Sequence, residues 1–267
     1  MSTASLRASV ERLKGRIPSR RTPIPADRVE FAHRVGLDEL DPWQLRLLRS
    51  EAPRVILNCS RQSGKSTMAS VVALHRALLV PGSLVLILGP SERQAKELFT
   101  KVAQAYRLLG HPVPADSDRK LGVQLTNGSR IEALPGTEKT IRGFSGAALL
   151  IVDEASRVAD ELYHAVRPML AVSAGRLMML STPAGRRGVF HHEWVEGGGW
   201  ERYEVPAAQV PRIPASFLAE ERATLPAFIY RQEYECSFEE TEDQVFGFDL
   251  VNTAVTPEVT PLFEEAS

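Results

Sequence analysis

One stretch limits this chain more than any other: Val55-Ile56-Leu57-Asn58-Cys59-Ser60-Arg61-Gln62-Ser63-Gly64-Lys65-Ser66-Thr67. An apolar run climbs into a tight polar turn, and a helix-forming run follows from Met68 to Leu79. A strand, a turn and a helix in that order build a nest of main-chain N–H groups at a helix N-terminus, which is a site for phosphate. Gly64 lets the backbone pass close to a ligand, and Ser60 to Thr67 form the cradle. Lys65 brings a point charge to the β- and γ-phosphates, and the Ser66 hydroxyl suits Mg²⁺. The spacing fits G-x-x-x-x-G-K-[ST] except at its first position, where Cys59 stands. The competing reading is a Gly-Lys-Ser turn without a ligand. The setting between a buried-type strand and a helix favours an ATP site.

A second stretch supports it. Ala147-Ala148-Leu149-Leu150-Ile151-Val152-Asp153-Glu154 is an apolar run that ends in two carboxylates. Apolar residues on both faces are the mark of a central parallel strand, and the carboxyl end of such a strand is where α/β sheets bind ligands. Asp153 is expected to hold the Mg²⁺ shell, and Glu154 to accept the proton of an attacking water. The alternative is an acidic cap on a helix beginning at Ala155-Ser156.

Bulk properties narrow the class. At 267 residues the chain can bury a full core. An apolar content of 43% and a charged content of 24% are those of an ordinary globular protein. The net charge of −1 provides no global field toward nucleic acid or membrane. Charge is uneven, however. Arg7, Arg12, Lys14, Arg16, Arg20, Arg21 and Arg28 crowd the start, whereas residues 239–267 carry acids and no Lys or Arg. Both ends are expected to lie outside the core. Cys59 and Cys236 are far apart in sequence, so a structural disulfide is not expected. No apolar run is long enough for a membrane span, and Arg20-Arg21 lacks the apolar segment of an export signal.

Along the chain, Asp41 caps a helix and Pro42 occupies its first turn, followed by Trp43 and Gln44. By residue type Gln44 reads as a helix glutamine beneath a packing tryptophan, although its amide also suits an adenine edge. Leu84–Leu88 is a buried strand, Glu92 to Leu109 an amphipathic helix, and Thr126-Asn127-Gly128-Ser129 the turn of a β-hairpin. A helix is expected from Asp160 to Leu170, then a strand from Arg176 to Leu180 that ends in Ser181-Thr182-Pro183. The expected fold class is α/β: a mainly parallel P-loop sheet of the RecA/ASCE type with helices on both faces, and a small C-terminal lid-like subdomain. The boundaries read as a basic arm over 1–30, an ATPase core over 31–184, a lid over 185–238 and an acidic tail over 239–267.

At this point the residues resemble a known family, the large terminase subunit of tailed bacteriophages. The loop Ser60 to Thr67, Trp43-Gln44, Ile141-Arg142-Gly143-Phe144 ahead of Ile151-Val152-Asp153-Glu154-Ala155, Ser181-Thr182-Pro183, and Arg231-Gln232-Glu233-Tyr234-Glu235-Cys236-Ser237-Phe238 are similar to the family's motifs, in order, over residues 40–240. The resemblance implies an Mg²⁺-dependent ATPase that drives double-stranded DNA through a portal into a prohead. It assigns Gln44 to adenine and Ser181, Thr182 and Pro183 to coupling. It also implies a portal and a small terminase subunit as partners, an active homo-oligomeric ring, a pentamer, and a place in the infected bacterial cytoplasm, with transient residence at the portal vertex. Within a ring, Arg142 is expected to act in trans on a neighbour's ATP, with Arg61 as the rival in cis.

Large terminases usually carry a second, RNase H-like nuclease domain. The acids after Glu240 are scattered, so no nuclease activity is expected of these residues. Two other functions compete. A two-lobed helicase or translocase needs a second RecA-like lobe, for which residues 185–267 are too short. A regulatory subunit that binds ATP without turnover has no need for Glu154. Candidate DNA contacts are Arg186-Arg187, Lys96, Lys101 and the basic arm, each of which also reads as a solvated charge.

Overall fold

The computed structural model describes residues 23–135 and 143–240. Most of the basic arm, Lys139 and Arg142, and the acidic tail beyond residue 240 lie outside the described residues.

Eight strands form one sheet, framed by eight helices among the described residues. In chain order these are α1 (Arg28–Arg34), α2 (Pro42–Arg49), β1 (Arg54–Cys59), α3 (Lys65–Leu79), β2 (Leu84–Gly89), α4 (Glu92–Leu108), β3 (Ala115–Arg119), β4 (Gly122–Leu125) and β5 (Arg130–Pro135). After residue 142 come β6 (Leu149–Asp153), α5 (Asp160–Val166), β7 (Arg176–Ser181), α6 (Gly188–Val195), β8 (Glu201–Val205), α7 (Ala215–Thr224) and α8 (Ala227–Tyr234). The strand order is β3-β4-β5-β2-β6-β7-β1-β8. From β5 to β8 every pairing is parallel, and β3 and β4 add an antiparallel hairpin on one edge.

Strand periodicity explains the two layers. Val55, Leu57 and Cys59 of β1, with Val85 and Ile87 of β2, point into one core, shared with Phe31, Leu47, Leu74 and Phe99 of α1 to α4. Ile56, Leu84, Leu86 and Leu88 point the other way, into a core with Leu162 and Tyr163 of α5 and Phe190 of α6. Alternate side chains reach opposite faces, and both faces are covered, so the strands are apolar throughout. β7 separates the phosphate-loop strand β1 from the carboxylate strand β6. The P-loop α/β architecture expected from the sequence is the one observed.

Three differences have physical causes. First, β8, inside the segment 185–238 expected as a lid, lies parallel to β1, pairing Leu57 with Tyr203, and so completes the main sheet. Tyr203 and Val205 are buried in the α1–α4 core. The boundary at 185 therefore corresponds to no break in the sheet. Second, β3 was not foreseen. Its residues Ala-Asp-Ser-Asp-Arg carry no apolar alternation, because an edge strand with charged side chains buries little and resists pairing with other chains. Third, the helix expected to reach Leu170 ends its α-form at Val166 and tightens to a 3₁₀ turn over Arg167–Leu170, where Pro168 lacks the N–H that an α-turn needs.

Candidate active site

The carboxyl ends of β1, β6 and β7 bring the expected residues together. At the end of β1 the loop turns through Gly64, whose φ of +92° is in the left-handed region. A Cβ there would be strained by that conformation and would meet the Gln44 amide nitrogen at 3.2 Å, a tight approach that the side chain would have to yield to. Gly64 is the N-cap of α3 and places no side chain on the helix's first N–H groups, leaving them for an anion. Not every loop N–H is free, however. Ser60 donates to the Val205 carbonyl and Arg61 to the Glu233 carbonyl, at 3.0 and 3.1 Å. The Ser60 hydroxyl is fully buried with no protein partner.

Lys65 stands at the centre. Its Nζ lies 3.5 Å from Glu154 Oε1 and 3.4 Å from Thr182 Oγ1, so the loop, the carboxylate strand and the β7 terminus meet at one ammonium. Glu154 has φ +49° and ψ +44°, a left-handed conformation that costs a residue with a Cβ some strain. Its second oxygen accepts from Arg157 at 3.1 Å. Asp153 is buried, and burial, then the neighbouring Glu154 charge, pushes its carboxyl up to about 6, against the opposing pull of Lys65. Ser181 and Thr182 are buried too, and Ser156 ties them to the carboxylate turn: its hydroxyl is 2.7 Å from Ser181 Oγ and donates to the Thr182 carbonyl at 2.8 Å.

A cavity of about 380 Å³ opens on this group. Arg61, Ser66, Asp153, Glu154, Arg157 and Thr182 line one side, and Arg93, Gln94, Glu97 and Lys101 of α4 line the other. Lys101, a candidate DNA contact by sequence, thus faces the cavity. Arg186, another, donates to the Phe238 carbonyl at 3.0 Å. A hydroxyl (Ser66) and a carboxylate whose ionisation is opposed by burial (Asp153) are hard oxygen donors, a set that suits Mg²⁺. Among the described residues no three His, Cys, Asp or Glu side chains cluster as a metal site, so a bound Mg²⁺ would complete its shell with phosphate oxygens and water.

The remaining expected residues are placed as follows. Gln44 is buried against the loop, but its Oε1 accepts from the Asp41 N–H at 2.9 Å, which closes the cap of α2. The Arg61 guanidinium is gripped by Glu233 of α8, and that hydrogen bond raises its pKa further. Gln62, at φ +59°, makes the turn with Gly64; Thr67 belongs to the first turn of α3. Pro183 follows Thr182 at the exit of β7. Arg142 lies outside the described residues. Cys59 and Cys236 are free thiols, buried, and burial pushes both up, Cys236 to about 12.

Sequence reasoning missed three residues here. Arg157 had a signal, the three-residue spacing from Glu154. Glu233 lies inside a quoted motif that carried no assigned role. Arg212 had none: it reaches Asp41 and Ser63 from 171 and 149 positions away.

The comparisons with known proteins agree with one another. The family model described as "Terminase large subunit, T4likevirus-type, N-terminal" matches residues 56–253. A curated terminase large subunit of Thermus virus P23-45 is 28% identical over 245 residues, covering 78% of this chain and 50% of that protein. The chain spans about half the length of the curated relatives it matches. The ATPase domain of the large terminase of Thermus phage P74-26 superposes with a TM-score of 0.69 at 24% identity, covering 79% of this chain and 98% of that one. A large terminase from another thermophilic bacteriophage, in complex with ADP, gives 0.64 at 12% identity over 74% of this chain and 54% of that one.

Proposed function

The chain belongs to the family of phage terminase large subunits, T4likevirus-type, and on that premise we propose that it is the ATPase of a viral DNA-packaging motor. It hydrolyses ATP to drive double-stranded DNA through a portal into a prohead. The observation that carries the reading is the meeting of Lys65, Glu154 and Thr182 beside an uncapped helix N-terminus. A related large terminase binds ADP, which supports nucleotide at this site.

The chemistry follows from what each group lacks. Lys65 shares a 3.5 Å pair with Glu154. An incoming polyphosphate is a stronger partner, so Lys65 turns to the phosphate oxygens and releases one oxygen of Glu154. Glu154 then takes a proton from the water that attacks the γ-phosphorus, as the bond to the ADP oxygen breaks. The loop N–H groups after Arg61 hold the phosphates. Ser66 and Asp153 would hold Mg²⁺, which would supply charge neutralisation on the phosphates. Thr182 shares Lys65 with the ligand, so loss of the γ-phosphate alters its hydrogen bond and passes through Ser181–Pro183 into the chain beyond β7. DNA, the portal and a small terminase subunit are the partners, and the infected bacterial cytoplasm is the compartment. No described helix is long and apolar enough to cross a membrane.

One assay with labelled ATP and Mg²⁺ tests this. The parent protein hydrolyses ATP, Lys65→Ala binds it poorly, and Thr182→Val binds it but turns over more slowly. A parent without Mg²⁺-dependent hydrolysis, alone or with DNA and prohead, removes the ATPase reading. A Thr182→Val protein with parental turnover and unchanged packaging in the full motor removes the coupling role.

A further inference from the structure

The turn between β8 and α7 sends one side chain back to the phosphate loop. Ala207 and Val210 are buried, and the N–H of Ile213 donates to the Val210 carbonyl at 3.0 Å, so the turn is anchored on both sides of Arg212. The Arg212 guanidinium forms a two-pronged pair with Asp41, Nη1 to Oδ1 and Nη2 to Oδ2, both at 2.9 Å. Nη2 also donates to the Ser63 carbonyl at 3.1 Å. Asp41 is only 6% exposed and accepts in addition from the Trp43 indole at 3.3 Å. Asp41 in turn holds Gln44 through its own N–H. A Cβ built on Gly64 would meet Gln44 Nε2 at 3.2 Å and Arg212 Nη2 at 3.8 Å, so both side chains abut the loop at the same glycine.

We propose that Arg212 is a positioning residue for the base side of the nucleotide site. It fastens the capped start of α2, and with it Gln44, to the Ser63–Gly64 peptide, and so sets the distance between the base-reading amide and the phosphate cradle. A planar fork is the group that can grip a carboxylate with two bonds and still reach a main-chain carbonyl. An ammonium on the same stem makes these contacts one at a time. The inference rests on the reading that ATP binds this loop with its base toward Gln44. Arg212 acts through Gln44 and Ser63 and touches no reacting atom, so it governs which base is accepted more than how fast phosphate leaves.

The test is nucleotide selection. Kd and KM for ATP and GTP are measured for the parent protein, Arg212→Ala, Arg212→Lys and Gln44→Ala. The charged hydrogen bonds lost in Arg212→Ala predict an ATP Kd raised by about tenfold to a hundredfold, with GTP affected less, so that the two nucleotides converge. KM rises more than kcat falls, Arg212→Lys recovers part of the preference, and Arg212→Ala adds little to Gln44→Ala. Removing Arg212 leaves the buried Asp41 charge unpaired, so a chain that fails to fold is replaced by Arg212→Ala with Asp41→Asn, in which the same convergence is expected. A parental ATP/GTP ratio in whichever variant folds overturns the proposal, as does additivity with Gln44→Ala or a parent with no base preference. A parent that binds no nucleotide overturns instead the function on which it rests.

Discussion

Asp153 is nearly enclosed, and an enclosed carboxylate resists ionisation. Its folded pKa of about 6 is above the ordinary value of 3.8. The sign follows: the group favours the folded state below the unfolded pKa, and that contribution is lost as pH rises through about 6. In the metal-free protein Asp153→Asn should therefore stabilise at pH 7.5, by about 1–3 kcal/mol in denaturant melts, and the gain should vanish near pH 4. Equal stability of the two proteins at pH 7.5 contradicts the burial argument. Lys65, Ser66, Asp153 and Glu154 were legible in the sequence because each follows a strand whose apolar run announces where its carboxyl end lies. Arg157, Glu233 and Arg212 were not, because an ion pair between distant segments leaves no local pattern. Gln44 shows a further limit: the same amide that suits an adenine edge also closes its own helix cap at 2.9 Å, and residue type cannot rank the two.

Elements were read well where periodicity spoke and badly where it did not. The buried strands β1, β2, β6 and β7 are apolar on both faces and appear close to where expected. β3 is short, charged and at the edge, and nothing in its composition marks it. β8 alternates visibly, but no local signal says which sheet it joins. Its parallel place beside β1 is settled by tertiary packing of Tyr203 and Val205. The strand register links this edge to the site, since the Ser60 N–H donates to Val205 and the Asn58 amide to the Cys236 carbonyl at 2.8 Å. A fragment ending at residue 184 should thus lack one edge of the sheet and the partners of its phosphate loop. We expect it to lose cooperative thermal unfolding, whereas a fragment ending at 240 keeps it. A cooperative melt of the shorter piece, followed by circular dichroism, would restore the boundary at 185.

At the scale of the whole molecule the proposed reaction turns on which arginine meets the γ-phosphate, since Arg61, Arg93 and Arg157 all line the cavity. Charge spreads over the γ-phosphate oxygens as the bond breaks, and Arg61, the arginine of the loop itself, is held by Glu233. The ring that the family resemblance implies would offer Arg142 of a neighbouring chain, and we propose that role for it. Arg142→Ala chains keep Glu154, and Glu154→Gln chains keep Arg142, so two inactive proteins mixed under assembly conditions should regain hydrolysis. Failure of every mixture returns the role to an arginine in cis. The account as a whole, that this fold exists to hydrolyse ATP, rests on one carboxylate in a left-handed turn, 3.5 Å from Lys65. The direct measurement is ATP binding and single-turnover hydrolysis by the Glu154→Gln protein. Binding close to that of the parent, with the chemical step slowed by about a hundredfold or more, is the result expected for loss of a general base. Hydrolysis at the parental rate would mean that Glu154 is not the base.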